Sequence, residues 1–439
     1  MHERAWRLAL LGALSAGCAD AAFYRDDTDF EPVFGPELSI GLAGAPVELF
    51  GPPTEPTFTE AFATLSTSGF DTFFPLFVLS ETPDESTYSG HLPHFYSSRV
   101  YDVGDGRSCT LPQNPYAAAA ATGLQIIFPG EVLVADQDLS QPLDEAVLMS
   151  RLAAQEQDCW SNHMPIRAIS SLDEPILRHV VQGYVEAPQL DLANVGTFNG
   201  LARGIGRPVM LIEGPGPYSF EQAGLPEEDV ALLTGEFEAA LPDVAQSANL
   251  FGFNLYPVPD GPITEPGAYV RRARAAQPTA ELVSVLQGMS FARISDGEQT
   301  GRAPTEDEIR FMAVDSVASG ADHLYWYGAS SLELDDPRDA ALWSDITLVA
   351  SELANVREAT QGEMVHVSAP PTLGVRAHRW DGETVIFLAH RGDDTVDYEL
   401  TVPGDVSVLV NSTGAFADFD RGTLTLTLQP TTATVVILR

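Results

Sequence analysis

The sequence contains no lysine. All 23 of its basic residues are arginine, against 62 acidic residues, for a formal net charge of −39 over 439 residues. A surface of that sign repels nucleic acid and anionic lipid headgroups, so neither is expected as a partner. Cysteine is scarce, at three residues. None has the CxxC spacing of a redox or zinc site, and no His/Asp/Glu cluster falls at metal-ligand spacing, so no metal or other cofactor is expected. No segment reaches the ~18 uninterrupted apolar residues of a membrane span. A Gly-rich phosphate loop between a strand and a helix is also missing, which argues against a doubly wound, dinucleotide-binding sheet.

What is present is a chain with 44 % hydrophobic residues, enough for a sizeable core. Its length suits one large domain and a smaller one. The N-terminus reads "MHERAWRLALLGALSAGCADAAF". Arg4 and Arg7 precede a short apolar run and then small residues, the pattern of an export signal over residues 1–21. Two processing sites compete. "LSAGC" resembles a bacterial lipobox and would leave Cys18 lipidated, although Ser15 stands where Leu is usual; "ADA" at 19–21 suits ordinary signal peptidase. The lipoprotein reading is favoured. It places the chain outside the cytoplasm, held to a membrane only through its lipid; the other route secretes it. In an exported protein, Cys109 and Cys159 are expected to form a disulfide, with two buried free thiols as the alternative.

After an acidic linker at residues 22–35, short apolar runs alternate with helix-length segments over 36–362. Strands are predicted at 38–42, 70–77, 124–128, 166–171, 208–212, 250–255, 281–286 and 323–327. They are near-continuous apolar runs, as in parallel strands covered on both faces. "LDEAVLMSRLAAQEQ", "PEEDVALLTGEFEAAL" and "PTEDEIRFMAVDSVASGA" read as helices with acids in the first turn. Eight such units predict an α/β fold, a (β/α)8 barrel with long loops. From about Glu363 to the end the pattern alternates with period two, broken by Asp-Gly and Pro-Gly turns. That predicts a small all-β, antiparallel sandwich over 363–439, either packing against the barrel or binding carbohydrate.

Catalytic residues of such barrels lie at the C-terminal strand ends. Strand four, "AISSLDEPIL", closes on Asp173-Glu174-Pro175; strand five ends at Glu213; strand six runs through Asn254 to Tyr256; strand seven ends at Gln287; strand eight carries Tyr325, Trp326 and Tyr327. Carboxyls, amides and aromatics converging on one face suit a sugar, because aromatic rings stack on pyranose C–H faces while amides and carboxylates bind hydroxyls. Glycosidic cleavage needs a proton donor at the leaving oxygen, and Glu174, partly shielded at a strand end, has the right chemistry. The competing role for Glu174 is a carboxylate paired with Arg167 or Arg207, and for Asp173 a helix cap. Glu213 competes with an ordinary loop acid, and Gln287 with an amide that satisfies loop backbone. Neighbours on strand eight face opposite ways, so only one of Tyr325 and Trp326 can line a pocket. His323 reads as structural, and the Asn-Ser-Thr at Asn411 as a chance match.

"DEP" after strand four, "NLYP" after strand six, "LQGMSF" at strand seven and "EIRFMAVDSVASGADHLYWYG" leading into strand eight together resemble the clan-A type of glycoside hydrolase barrel. "VIFLAHRGDDTVDYELTVPG" resembles the β-sandwich often attached to it. The resemblance covers most of 36–439 and implies a carbohydrate substrate. It also implies an acid/base Glu at Glu174, with Asp173 in the place usually held by Asn, and a nucleophile Glu where Gln287 stands. An amide cannot form the covalent intermediate, so three readings stay open. Glu174 acts with another carboxylate, Glu213 being nearest in strand order. Alternatively, the substrate's own 2-acetamido group attacks, as in hexosaminidases with a similar Asp-Glu pair. In the third, the barrel binds glycan without cutting it.

Overall fold

The computed structural model describes residues 35–50, 57–74, 115–134, 136–156, 165–222, 224–259, 261–290, 302–401, 406–411, 415–420 and 423–438. The expected export signal with Cys18, nearly all of the linker, and the expected Cys109–Cys159 pair lie outside these residues.

Eight strands close a parallel barrel in chain order: β1 (Ser39–Ala43), β2 (Thr72–Phe74), β3 (Gln125–Phe128), β4 (Ile166–Ser170), β5 (Val209–Glu213), β6 (Leu250–Asn254), β7 (Glu281–Gln287) and β8 (His323–Tyr327). The end strands β1 and β8 pair from Ser39↔His323 to Ala43↔Tyr327. Helices α1 (Phe58–Thr67), α2 (Pro115–Thr122), α3 (Glu145–Gln155), α4 (Pro175–Tyr184), α5 (Leu192–Gly204), α6 (Gly216–Gln222), α7 (Glu227–Gln246), α8 (Glu265–Ala276), α9 (Glu306–Ala318) and α10 (Pro337–Ala354) cover the outside. The architecture is the expected (β/α)8 barrel followed by antiparallel sheets.

Alternation along each strand splits the apolar residues between two cores. Ala43, Ile127, Ala168, Met210, Ile212, Val283, Val285 and Tyr325 fill the barrel interior. Their strand neighbours, such as Ile40, Leu42, Ile126, Ile169 and Trp326, pack outward under the helices. Gly41 shows how tight the interior is: a Cβ there would sit 2.3 Å from the Tyr325 ring.

The C-terminal residues form a five-stranded sheet, in the order β13 (Val406–Asn411), β16 (Thr432–Leu438), β11 (Glu383–His390), β10 (Leu373–Trp380), β9 (Glu363–Val365), and a three-stranded sheet of β12 (Val396–Thr401), β15 (Thr423–Leu428) and β14 (Ala415–Asp420). Asp381 and Gly382, both at positive φ, make the tight β10–β11 turn that an Asp-Gly pair favours. Leu373, Ile386, Leu388, Tyr398, Leu426 and Val436 form a small core between the sheets. Val385, Phe387, Val435 and Ile437 instead join the barrel's outer core. Helix α9 lies at that junction and is buried without a break from Ile309 to Val317, as expected of a helix covered on all sides.

Candidate active site

The turn from β4 to α4 is tightly constrained among the described residues at the strand C-termini. Leu172 drops into the core, and Glu174 turns left-handed, at φ 43° and ψ 50°. That conformation costs a non-glycine residue ~1–2 kcal/mol, and the surroundings hold it in place. The Glu174 N–H donates to Ile212 O at 3.2 Å. The Asp173 N–H donates to Glu131 Oε1 at 2.9 Å, and Arg178 Nη1 donates to Asp173 O at 3.3 Å. Arg178 also pairs directly with Glu131. Pro175 occupies the first helical position, where a missing N–H does no harm.

Glu174 stands at the N-cap of α4, yet its side chain caps nothing. The orphan amides of Ile176 and Leu177 donate instead to Glu213 Oε2 and Oε1, each at 3.0 Å. The Gly214 N–H adds a third bond to Oε1 at 3.1 Å, and Glu213 has no exposed surface. Burial pushes the Glu213 carboxyl up to about 8, and the charge of Glu174 adds to this, while the three amides favour the ionised form.

The Glu174 carboxyl turns toward β6. Asn254 Nδ2 donates to Glu174 Oε1 at 2.6 Å. The Asn254 side chain also reaches the phenol of Tyr256, whose ring stacks on Tyr327 with centroids 5.1 Å apart and planes at 21°. Gly214 leaves room beside the carboxyl, since a Cβ there would lie 3.2 Å from Glu174 Cδ. Burial raises the pKa of Glu174 and the charge of Glu131 adds to it, with Asn254 and Arg178 opposing. Asp173 is exposed at the mouth and stands beside two other carboxylates. Desolvation, then Glu174 and Glu131, hold it well above the usual carboxylate range. Among the described residues its carboxylate accepts no hydrogen bond, and no group of three His, Cys, Asp or Glu is placed to hold a metal ion.

Asp173, Glu174, Asn254 and Tyr256 are thus brought together, with Glu213 directly behind them. Gln287 is fully buried: its Oε1 accepts from Val258 N at 2.9 Å, and its Nε2 donates to Val258 O and Met289 O, both at 3.0 Å. Tyr325 sits one layer deeper inside the barrel, fully buried, with its hydroxyl 3.4 Å from His323 Nδ1. Trp326 does not line the mouth. Strand alternation turns it outward, against Phe70 at 6.2 Å, and Tyr327 takes the mouth position on β8. Nor does Arg167 or Arg207 pair with Glu174: Arg167 binds Gln125 and Arg207 binds Glu156.

Among these residues, Arg178 is the one the sequence reading did not name, while Glu131 and Tyr327 stand at strand ends without having been assigned a site role. Glu131 follows β3 at a strand end, and Arg178 lies one helical turn after Glu174, so both had a positional signal.

No protein-family model matches the sequence, and no curated protein matches it. Solved structures do share the fold. A GH30 endoxylanase from Clostridium papyrosolvens C71 superposes with a TM-score of 0.54 at 13 % identity, over 93 % of this chain and 98 % of that one. Eubacterium rectale Amy13B gives a TM-score of 0.51 at 8 % identity, over 93 % and 100 %. An AmyP variant in complex with maltotriose gives 0.50 at 14 % identity, over 92 % and 97 %. At these identities the likeness is one of fold.

Proposed function

We propose that the chain cleaves glycosidic bonds of an extracellular poly- or oligosaccharide, with Glu174 as general acid. The observation that carries this reading is the Glu174 carboxyl. It is aimed at the barrel mouth by a left-handed turn, half-buried, raised in pKa and held through one oxygen by Asn254. The Asn254 N–H donates to Oε1, so Oε2 is the oxygen that carries the proton. As the bond from the anomeric carbon to the glycosidic oxygen breaks, that proton passes to the oxygen, and the leaving sugar departs as an alcohol. The ring pair of Tyr256 and Tyr327 offers a stacking face for a pyranose beside it.

Positive charge then develops at the anomeric carbon. Asp173 is the second acid open to the mouth, and in its ionised form, favoured once a cationic centre develops beside it, it would stabilise that charge, activate a water molecule or orient a 2-acetamido group of the substrate. The shared fold with xylanases and with a maltotriose-binding AmyP supports a carbohydrate partner. On the same reading the chain is exported and anchored through a lipid on Cys18.

One observation favours a second reading, glycan binding without cleavage. Gln287 stands where the resembled family carries its nucleophile, and its amide is committed to the Val258 loop. Incubating the purified protein with a panel of glycans and assaying new reducing ends separates the two. Release of sugar by wild type, lost by a factor of about 10²–10⁴ in Glu174→Gln, is the expected result for a missing general acid. Binding without any release by wild type would select the second reading.

A further inference from the structure

We infer that Glu213 is a positioning residue that frees Glu174 for the mouth by capping α4 in its place. The inference rests on the reading of Glu174 as the proton donor.

An N-cap side chain ordinarily folds back onto the amides of the second and third helical residues. In α4 those residues are Ile176 and Leu177, and Glu174 is the N-cap. Had Glu174 taken an extended backbone and bonded those amides, its carboxylate would be committed to the helix. Glu213 reaches across from the end of β5 and accepts both bonds. With the cap supplied from another strand, the N-cap residue is released from the extended conformation. Its own N–H then anchors to Ile212 O, the residue just before Glu213. The left-handed turn swings the Glu174 carboxyl to Asn254. Strand β5 thus holds the turn at two consecutive residues.

The same geometry excludes Glu213 from direct attack on a sugar. Both of its oxygens accept backbone N–H groups and none of its surface reaches solvent, so a sugar at the mouth has no path to it. In Glu213→Gln one acceptor oxygen becomes an N–H₂ that faces a backbone N–H. The cap loosens, and Glu174 is drawn toward the orphaned amide and away from the leaving oxygen.

A comparison of two substrates tests this. One is an unactivated oligosaccharide that wild type cleaves, whose leaving alcohol must be protonated. The other is the matching nitrophenyl glycoside, whose acidic leaving group departs without an acid. If Glu213 acts through Glu174, Glu213→Gln reproduces the selectivity of Glu174→Gln in weaker form. The expected loss in kcat is about 10- to 100-fold on the oligosaccharide and under about threefold on the nitrophenyl glycoside, with KM unchanged. Equal loss on both substrates would overturn the inference, because a nucleophile or a general folding defect acts on both alike. Should Glu213→Gln not fold, Glu213→Asp, which keeps the carboxyl but reaches fewer amides, takes the same measurement. Failure of both to fold would give Glu213 a purely structural role and also overturn it. The parent reading fails separately: there, Glu174→Gln itself would show no preference between the two substrates.

Discussion

Two regions of this molecule hold carboxylates in opposite ways. Where the C-terminal sheets meet the barrel, each acid is matched by an arginine. Asp315 on α9 has no exposed surface, and Arg391 Nε donates to its Oδ1 at 2.7 Å while Nη2 binds Ser319. Asp322, before β8, accepts from Arg376 Nη2 at 3.2 Å and from the Leu282 N–H at 3.0 Å. At the barrel mouth, Arg178 is the one cation acting on Asp173 and Glu174 among the described residues, and its guanidinium already pairs with Glu131. Burying charge is therefore not by itself a sign of function in this chain. Burial raises the pKa of Asp315 too, despite Arg391; what sets the mouth apart is that its acids have no dedicated cation among the described residues and stand where a substrate could reach them.

Substitution in the two regions should affect stability differently. Arg391→Ala leaves the Asp315 carboxyl buried without its cation, and the loss of a single member of a buried pair costs ~3–5 kcal/mol. In the mouth, Glu174→Gln replaces a proton-bearing carboxyl with a neutral amide of the same shape and strands no cation. Its stability should equal or exceed that of wild type. Denaturant unfolding of both variants checks the contrast. A Glu174→Gln protein destabilised as much as Arg391→Ala would erase the distinction between the two regions.

The junction should also respond to acid in a way the mouth does not. His378 on β10 has no exposed surface, and its Nε2 accepts from Arg376 Nε at 2.9 Å, so its proton sits on Nδ1, which faces Gly362 O at 3.3 Å. Burial, then the charge of Arg376, lowers its pKa from 6.5 to about 4. The folded state thus holds His378 neutral while the unfolded chain binds a proton below 6.5. Stability is unaffected above that value, falls as pH drops from 6.5 toward 4, and levels off below. A depression of that size corresponds to ~3 kcal/mol. His378→Gln keeps an acceptor for Arg376 but does not titrate. Its stability should decline less than that of wild type between pH 7 and pH 4.5, and parallel curves would refute the assignment.

How much of this was readable in the chain follows from where each interaction runs. The barrel strands announced themselves because both of their faces are covered. Each became an apolar run, and the observed strand starts differ from the expected ones by at most two residues. Asp173, Glu174 and Asn254 were legible for a related reason: polar residues directly after such runs must sit at the mouth. What lay hidden needed phase or three-dimensional distance. Alternation placed Trp326 and Tyr327 on opposite faces without saying which faced inward. Arg167 looked close to Glu174 in sequence, but an extended strand carries it toward the other end of the barrel at roughly 3.3 Å per residue. Arg178, one helical turn downstream, comes back beside the turn instead. The capping of α4 by Glu213 joins residues 37 positions apart, and nothing local encodes it.

The weakest expected effect concerns the tyrosine pair, the part of the mouth that carries no formal charge. Tyr256 and Tyr327 are each half-buried and stack on one another. A stacked pair is worth ~0.5–1.5 kcal/mol beyond its buried area. Tyr327→Ala removes one ring and leaves the other free to tilt, while Asn254 and Glu174 keep their bond. Glycan binding should weaken by about three- to tenfold, with kcat close to wild type, because the ring's contribution is to hold a sugar and not to move its proton. Isothermal titration with an unreactive oligosaccharide, run in the Glu174→Gln background, reads that change directly. Unchanged affinity together with a lower melting temperature would make the pair part of the barrel's packing, and the uncharged face of the mouth would then play no part in recognition.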